Sequence, residues 1–445
     1  MNGIKFTAIS IMAGSVAFSS DSCSETLDQV VKYALNHHPD AVIAINKIRA
    51  EQEKVDIAWA DYLPTLDISL GAGGQKRKLP DEQRTGANST HDKSYTRKEG
   101  SIALKQNLFS GFDTKKSVAQ ARFLTLAKSY QLGSTLEELA LKVTNAYLKV
   151  LETIELVELS EDNLKLHDKM YEQIQKRVKQ GLARSSDLAQ IQGRRARANA
   201  NMINAKNNFE DARSEYHALV GKMPPKTLHS PPVADLTLPE SFDDALILAL
   251  RMNPGIQAAD HEIKAAEADY QSQKSRYFPS LDLEIDQNWR TNADGSLGTT
   301  ESLSAIAKLS YNLFRGGADK ALIQQQAYQM EETRAQKDRL LRKVEEKLRL
   351  AWDSYDYLSD QLGYLRLHEK ASKKTLEAYQ EQFYIGKRTL LDLLDTENEL
   401  FQSSQTLTRT SYQEAYSRYR VLAATGQLLT IFNLTWADEW LDESE

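Results

Sequence analysis

Four short segments of the chain alternate between apolar and polar residues with a period of two. They are TLDISLGA (65–72), SIALKQNL (101–108), SLDLEID (280–286) and SLSAIAKLSYNL (302–313), in which Ile306 breaks the alternation. This pattern predicts β-strands with one apolar and one polar face. It is typical of barrel strands that face lipid, and also of ordinary half-exposed hairpins. We expect two β-hairpins, at about 65–108 and 280–313.

Two much longer segments, 112–180 and 317–385, have the composition of helices. Glutamate, lysine, leucine, alanine and glutamine dominate them, and all five are good helix formers. At 1.5 Å per residue each helix would be about 100 Å long. Apolar residues recur every three or four positions, as in a coiled-coil seam. Each long helix is expected to end at a glycine, Gly181 or Gly386, where the chain turns and returns antiparallel.

The two halves of the chain repeat each other. Residues 26–70 align with residues 241–285 at an offset of 215 residues, and further along the offset falls to 205. At the second offset Gly181 matches Gly386, and Asp187 matches Asp392. The repeated segments and nearly constant offsets predict a tandem duplication of about 205 residues.

Two polar segments interrupt the repeat. Residues 71–100 are rich in glycine and charge and contain the ten extra residues of the first half, so we expect a solvent-exposed loop there. Residues 221–240 hold five of the ten prolines and are expected to link the halves.

The first residues have the layout of a secretory signal peptide. Lys5 precedes an apolar run from Phe6 to Phe18, and small residues follow it. Cleavage after Ser19 or Ser22 fits this layout, and a buried N-terminal helix is the alternative. Cys23 is a weak candidate for a lipid-acceptor cysteine, because the Ser-Asp-Ser sequence before it is a poor lipobox. The predicted layout is a signal peptide (1–22), a first repeat (23–220), a linker (221–240), a second repeat (241–432) and an acidic tail (433–445).

Composition excludes several classes of function. The 445-residue chain has a net charge of −6, which argues against nucleic-acid binding. Its single cysteine excludes an intrachain disulfide and a thiolate metal cluster. His37-His38 is a weak metal candidate, since the second repeat has Met252-Asn253 there. Without a nucleophile elbow, phosphate loop or HExxH sequence, we expect no enzyme, no cofactor and no metal site.

Four strands cannot close a membrane barrel, which needs roughly eight or more. Lipid also excludes an open sheet edge, because the unpaired backbone groups there would have no hydrogen-bond partner. If these are membrane strands, several chains must each contribute four, and three chains would give twelve.

Together these features resemble the outer-membrane factor (TolC-type) family over about residues 25–432. The likeness is carried by the tyrosine-proline-leucine segments 62–66 and 277–281, by Asn-Leu-Phe at 107–109 and 312–314 before the long helices, and by the glycine-led tips. The resemblance implies a mainly α fold with membrane β: a homotrimer whose twelve-stranded β-barrel, four strands per chain, lies among the lipids of the outer membrane and continues as a long α-helical coiled-coil tunnel into the periplasm.

The resemblance also implies a function without catalysis. The duct would dock onto a periplasmic adaptor (membrane fusion) protein and an inner-membrane transporter, expected to be of the ABC type, and pass an exported polypeptide or a drug. QNLFSGFDT (106–114), NAYLKVL (145–151) and EDNLKLH (161–167) favour type I secretion of a large protein such as a surface adhesin. The alternatives are a multidrug efflux channel of the same fold and a soluble periplasmic coiled-coil scaffold.

The second tip, GKRTLLDLLD (386–395), carries more charge than folding requires. Thr389 can cap the returning helix with Asp392 at its third position, a variant of the capping box, and Asp187 is the counterpart in the first tip. Asp395 lies one turn further on and shares a face with Asp392, where like charges are mildly unfavourable. Helix formation therefore gives no reason for Asp395. On the first hairpin, the cluster Arg194-Arg195-Arg197 is expected on a solvated or intersubunit face.

By the resemblance, Asp392 and Asp395 project into the pore where it narrows at the periplasmic entrance. Three copies would bring six carboxylates around one axis and attract cations. Arg388 matches an arginine that pairs across to the first tip, where Asp187 and Ser186 match its partners, and such pairs would hold the entrance closed.

One residue departs from the family pattern. Phe383 stands where the family's closed gate uses a tyrosine hydroxyl, so one closing hydrogen bond is in doubt unless Tyr384 replaces it. We therefore expect the Arg388–Asp187 pair to carry more of the latch. The resemblance also places the adaptor-docking surface at the two tips, represented by Gly181, Leu182, Gly386 and Lys387.

Overall fold

A computed structural model describes residues 25–77, 93–225, 227–232, 236–293 and 298–434. The predicted signal peptide, Cys23 and the tail from residue 435 lie outside the described residues.

Helices and strands follow one another in the same order in both halves. The first half contains α1 (Leu27–His37), α2 (Pro39–Ala60), β1 (Thr65–Arg77), β2 (Lys93–Phe109), α3 (Asp113–Lys179) and α4 (Ser185–Val220). The second contains α5 (Phe242–Met252), α6 (Pro254–Gln273), a 3-10 turn (Lys274–Tyr277), β3 (Ser280–Thr291), β4 (Thr299–Ser310), α7 (Ala318–Tyr384), α8 (Leu390–Thr425) and α9 (Leu428–Ile431). Helices α3 and α7 each have 67 residues, and α4 and α8 each have 36, as a duplication predicts.

The repeat extends to the way corresponding helices begin. Helix α2 starts with a proline, and the His38 side chain accepts a hydrogen bond from the backbone N–H of Asp40 at 3.1 Å. Helix α6 also starts with a proline, and Asn253 accepts from the N–H of Gly255 at 2.9 Å. Proline suits the first helical position because its missing N–H would have no helical partner there. The structure therefore gives His38 the role of a helix cap.

The four strands form one antiparallel sheet in the order β1-β2-β3-β4. One row across its apolar face pairs Leu66 with Leu104, Leu104 with Ile285 and Ile285 with Ala305. On β1 this face is open to solvent in the single chain, with 84% of Leu70 exposed. The exception Ile306 lies opposite Glu284, among the polar side chains of the other face.

The strands are longer than the alternating pattern predicted. The segment 71–100, expected to be a loop, continues β1 to Arg77 and starts β2 at Lys93, with Gly71 paired to Glu99. This part of the prediction was wrong because strand pairing uses backbone groups and does not require apolar side chains. At the other hairpin the strand ends at Ser310, before the predicted position 313.

The chain divides into two compact units. The sheet unit comprises residues 35–141, 237–360 and 414–434 among those described. One of its cores is small-residue packing between helices, formed by Ala245, Ala249, Ile256, Val344, Leu348, Ala351 and Val421. No helix among the described residues has the length and apolarity that a membrane crossing would require.

The tip unit comprises residues 25–34, 142–236 and 361–413, and it contains both helical hairpin turns. All four long helices contribute to a core that lies next to the turns. Its buried residues are Met170 and Ile174 of α3, Ile191 of α4, Leu376 of α7, and Leu390, Leu393 and Leu394 of α8. The core fixes the ends of both hairpins, and the site described next is built on it.

Candidate functional site at the hairpin tips

Both hairpins turn with the same backbone geometry. Gly181 and Gly386 have φ angles of +69° and +76°, a region that side chains with a Cβ rarely adopt. After Gly181, the N–H of Leu182 donates to the carbonyl of Arg177 at 2.8 Å, and after Gly386 the N–H of Lys387 donates to Gln382 at 2.8 Å. This six-to-one hydrogen bond is the Schellman closure of a helix C-terminus. The glycine at each tip is therefore required by the turn itself.

Apolar side chains at the two turns are exposed in the single chain. Solvent reaches 69% of Leu182, 67% of Ile385 and 64% of Tyr384. These are the segments where the family resemblance predicts an adaptor-docking surface.

The second tip contains a complete capping box. The Thr389 hydroxyl accepts from the backbone N–H of Asp392 at 3.2 Å, and the backbone N–H of Thr389 donates to the Asp392 carboxylate at 3.1 Å. The Thr389 hydroxyl also donates to that carboxylate at 2.9 Å. The hydrogen bond from the Thr389 hydroxyl is the largest cause that lowers the pKa of Asp392, followed by the bond from the Thr389 backbone N–H. The nearby charge of Arg388 also lowers this pKa. Asp392 is thus held as an exposed, ionised carboxylate.

The first tip is capped more simply. Position 184, which corresponds to Thr389, is an arginine, and only its backbone N–H donates to Asp187, at 3.3 Å. Ser186 is exposed near the start of α4. The two tips therefore share the acidic residue and differ in the hydroxyl.

Arg388 is held within its own hairpin. Its Nε donates to Gln382 at 3.0 Å, and its guanidinium lies 4.2 Å from the centre of the Tyr379 ring. In the described chain the structure does not bring Arg388 to Asp187. A latch between these residues would have to form between chains, and it stays a prediction.

Phe383 fills an apolar position. It packs against the tip core, and the guanidinium of Arg177 lies 5.6 Å from its ring centre. Tyr384 is exposed and contacts Phe383 edge to face, with ring centres 6.1 Å apart. Phe383 thus has a packing role that needs no hydroxyl.

Asp395 has a partner that the sequence analysis did not identify. Arg194 of α4 donates through Nη2 to Asp395 Oδ1 at 2.7 Å, across a sequence separation of 201 residues. About a quarter of the Arg194 side chain is exposed, compared with 59% of Asp395. Neighbouring Arg195 instead pairs with Asp168 of α3 at 2.5 Å. The predicted basic cluster is therefore divided between two different acidic partners.

A buried polar layer follows Asp395 on α8. Glu397 and His167 are each 4% exposed, and His167 Nε2 lies 3.0 Å from a Glu397 oxygen. Asn163 donates to the other oxygen of the same carboxylate. Two residues further on, Glu399 pairs with His368 of α7 at 2.8 Å. Successive acidic residues of α8 thus tie it to α4, α3 and α7. Asn163 and His167 lie in the segment 161–167, but only the fold shows that they contact Glu397.

A polar groove of about 620 Å³ lies between α3, α4 and α8 of the tip unit. The charged side chains that line it are Lys149, Glu152, Arg197, Asp211, Glu215 and Arg409. Among the described residues, no three or more histidine, cysteine, aspartate or glutamate side chains are grouped so that they could hold a metal ion.

Comparison with known protein families identifies the family to which this arrangement of sheet, long helices and paired tips belongs. The model of the family described as Outer membrane efflux protein matches residues 30–222 and 245–427. The chain belongs to the outer membrane efflux protein family. The two matched segments correspond to the two repeats, so the family match covers both hairpins and both pairs of strands.

Individual relatives support this assignment. The chain is 25% identical over 419 residues to the outer membrane efflux protein BepC of Brucella suis, covering 94% of this chain and 89% of BepC. It is 26% identical over 407 residues to the alkaline protease secretion protein AprF of Pseudomonas aeruginosa, covering 88% of this chain and 82% of AprF. A solved structure of CusC superimposes with a TM-score of 0.79 at 17% identity, covering 90% of this chain and 92% of that one.

The predicted fold class and location are therefore confirmed. The described part of this outer membrane efflux protein is mainly α-helical, with four β-strands arranged as in the TolC-like channels. Its location is the cell outer membrane, with the helical part extending into the periplasm. Family membership is confirmed at the level of outer-membrane efflux proteins, and the type I secretion branch remains a proposal.

Proposed function

We propose that three copies of this chain form an export duct, each contributing four strands to one twelve-stranded barrel. The open sheet of the single chain carries this proposal. Its outer strands β1 and β4 each have one unpaired edge among the described residues, and β1 exposes Ile68 and Leu70 at 67% and 84%. Lipid would cover the apolar face, and pairing between chains would satisfy both edges.

The duct belongs to a tripartite system with a periplasmic adaptor and an inner-membrane transporter. The two turns at Gly181-Leu182 and Gly386-Lys387 are suited to adaptor docking, because Leu182 and Ile385 expose apolar side chains there. The chain has no catalytic role in this proposal and takes no nucleic acid. Cargo passes through the centre of the trimer.

Type I secretion of a large protein, such as an adhesin, is the cargo class we favour, with an ABC-type transporter as partner. The match to AprF, which is named for protease secretion, supports it. The match to BepC, which is named an efflux protein, supports multidrug efflux equally well. Deleting the gene in its own host separates the two. Loss of a large secreted or surface protein supports secretion, whereas increased drug sensitivity with an unchanged secreted fraction supports efflux.

The trimeric duct itself is tested with the purified full chain. Size-exclusion chromatography with light scattering in detergent should give a trimer, and planar bilayers should show conductance. The protein should sediment with outer-membrane fractions. A monomer recovered with soluble periplasmic proteins would contradict the duct and favour the scaffold alternative.

The entrance is proposed to lie at the tips, with Asp392 and Asp395 around the constriction. Arg388 would leave Gln382 and pair with Asp187 and Ser186 of a neighbouring chain when the entrance closes. Arg388→Ser should then raise the mean current in planar bilayers, because closing contacts are lost. Lys387→Ser removes a neighbouring positive charge from the same turn and is the matched control. An unchanged current for Arg388→Ser, or an equal rise for both variants, counts against the latch.

A further inference from the structure

Asp395 and Asp392 lie one turn apart on α8 but have different partners. Asp392 is bonded to neutral donors of its own turn, the hydroxyl and N–H of Thr389. The nearby charge of Arg388 acts on Asp392, but the hydrogen bond of the Arg388 guanidinium goes to Gln382. Asp395 is bonded to a cation from another hairpin, the guanidinium of Arg194, at 2.7 Å. Hydrogen bonds from neutral donors leave a carboxylate's charge in place, whereas an ion pair cancels most of it at a distance.

The Arg194–Asp395 pair contributes little to folding. More than half of the Asp395 side chain is exposed, and exposed ion pairs contribute little to stability. Helix α8 would also lose a like-charge contact with Asp392 if Asp395 were neutral. Stability therefore explains neither residue, whereas both charges act on the electrostatic field near the tips.

We propose that Arg194 is a selectivity-determining residue that compensates Asp395, so that each chain contributes one uncompensated carboxylate to the constriction. This inference rests on the proposed entrance at the tips. Asp392, Asp395 and Arg194 together carry a net charge of −1 per chain, whereas the two carboxylates alone would carry −2. Three chains then present three net negative charges around the axis, and the pull on cations is weaker than six carboxylates would exert.

Arg194 lies where it can exert this effect. Its guanidinium comes from α4, the returning helix of the first hairpin, while Asp395 lies on the returning helix of the second. The Arg195 side chain, one residue further along, turns to α3, where it pairs with Asp168 and lies 5.2 Å from the Tyr171 ring centre. Arg194 and Arg195 are therefore a matched pair of cations with different partners.

The test measures ion selectivity and cation block of the full-length trimer in planar bilayers. Reversal potentials are recorded across a KCl gradient, and Mg²⁺ is titrated from the side of the tips. Five variants are compared with the unmodified protein: Arg194→Gln, Asp395→Asn, Asp392→Asn, the double variant Arg194→Gln/Asp395→Asn, and the control Arg195→Gln.

The two single changes should act in opposite directions. Arg194→Gln leaves Asp395 uncompensated, so cation preference rises and half-block needs roughly threefold less Mg²⁺. Asp395→Asn leaves Arg194 uncompensated, so cation preference falls. The double variant should return close to the unmodified protein, and Arg195→Gln should leave both readouts unchanged. This crossed pattern is not expected from a general loss of surface charge or from misfolding.

Several outcomes would overturn the proposal. Equal effects of Arg194→Gln and Arg195→Gln would show that any positive charge on α4 acts alike. If Asp392→Asn alters selectivity while Arg194→Gln and Asp395→Asn do not, the result supports a constriction at the tips but rejects the proposed role of Arg194. A trimer that conducts but responds to none of these changes places the constriction elsewhere. Absence of conductance in the unmodified protein rejects the proposed duct itself.

Discussion

Replacing His167 by leucine should destabilise the tip unit, because it removes one of the two partners of the buried Glu397 carboxyl group. Both side chains are only 4% exposed, and His167 Nε2 lies 3.0 Å from the carboxylate. Asn163 would remain as the single donor. Removing one member of a buried, paired group costs about 3–5 kcal/mol, since water cannot replace the lost partner.

The size of the effect translates into a melting temperature. Unfolding entropy is about 2.1 cal/mol/K per residue, or about 0.9 kcal/mol/K if the whole chain melts together. His167→Leu should therefore lower Tm by about 3–5 °C, and by more if the tip unit melts separately. Circular dichroism at 222 nm of the detergent-solubilised trimer, heated under identical conditions, gives the comparison.

A double replacement makes the reasoning refutable. In His167→Leu/Glu397→Leu the buried polar pair is gone and two apolar side chains remain, so much of the lost stability should return. His368→Leu is the matched control: it removes a histidine that pairs with Glu399 at 2.8 Å, and both of those side chains are about half exposed. It should cost no more than about 1 kcal/mol. A double variant no more stable than His167→Leu, or equal losses for both histidines, would refute the buried-pair argument.

Two further predictions concern the sheet unit. Glu137 is buried and accepts a hydrogen bond from the N–H of Leu429, and burial raises its pKa to about 8. Because the folded chain keeps a proton that the unfolded chain loses, the free energy of unfolding should fall as pH rises from about 4.5 to about 8. In thermal melts from pH 5 to pH 9, Glu137→Gln should flatten this dependence on pH. An unchanged slope would contradict the prediction. Gly111 has a φ of +67°, and an added Cβ would lie 2.6 Å from the carbonyl oxygen of Ser275. Gly111→Ala should therefore lower Tm, whereas Gly193→Ala, where an added Cβ meets nothing within 4 Å, should not; equal Tm values would show that the backbone there relaxes.

Local pattern was sufficient for most of the architecture. Alternation predicted four strands, helix-forming composition predicted the two 67-residue helices, and each tip glycine lies two residues beyond the end of its helix. The capping role of Thr389 and Asp392 could also be read directly, because the atoms involved are three residues apart. Strand length was underestimated at residues 71–77 and 93–100, where backbone pairing continues beyond the apolar alternation.

The sequence by itself determined the helices, the tip turns and the Thr389 cap, which depend on neighbours within a few positions, and also the duplicated order of the two halves. Tertiary structure alone decided the charge pairing at the tips. Arg194 meets Asp395 across 201 residues, and Asn163 meets Glu397 across 234. No local periodicity records which of several arginines or acids will face each other, because that depends on how four separate helices pack. Asp395, unexplained as part of a helix, gained its partner only when α4 and α8 were brought together.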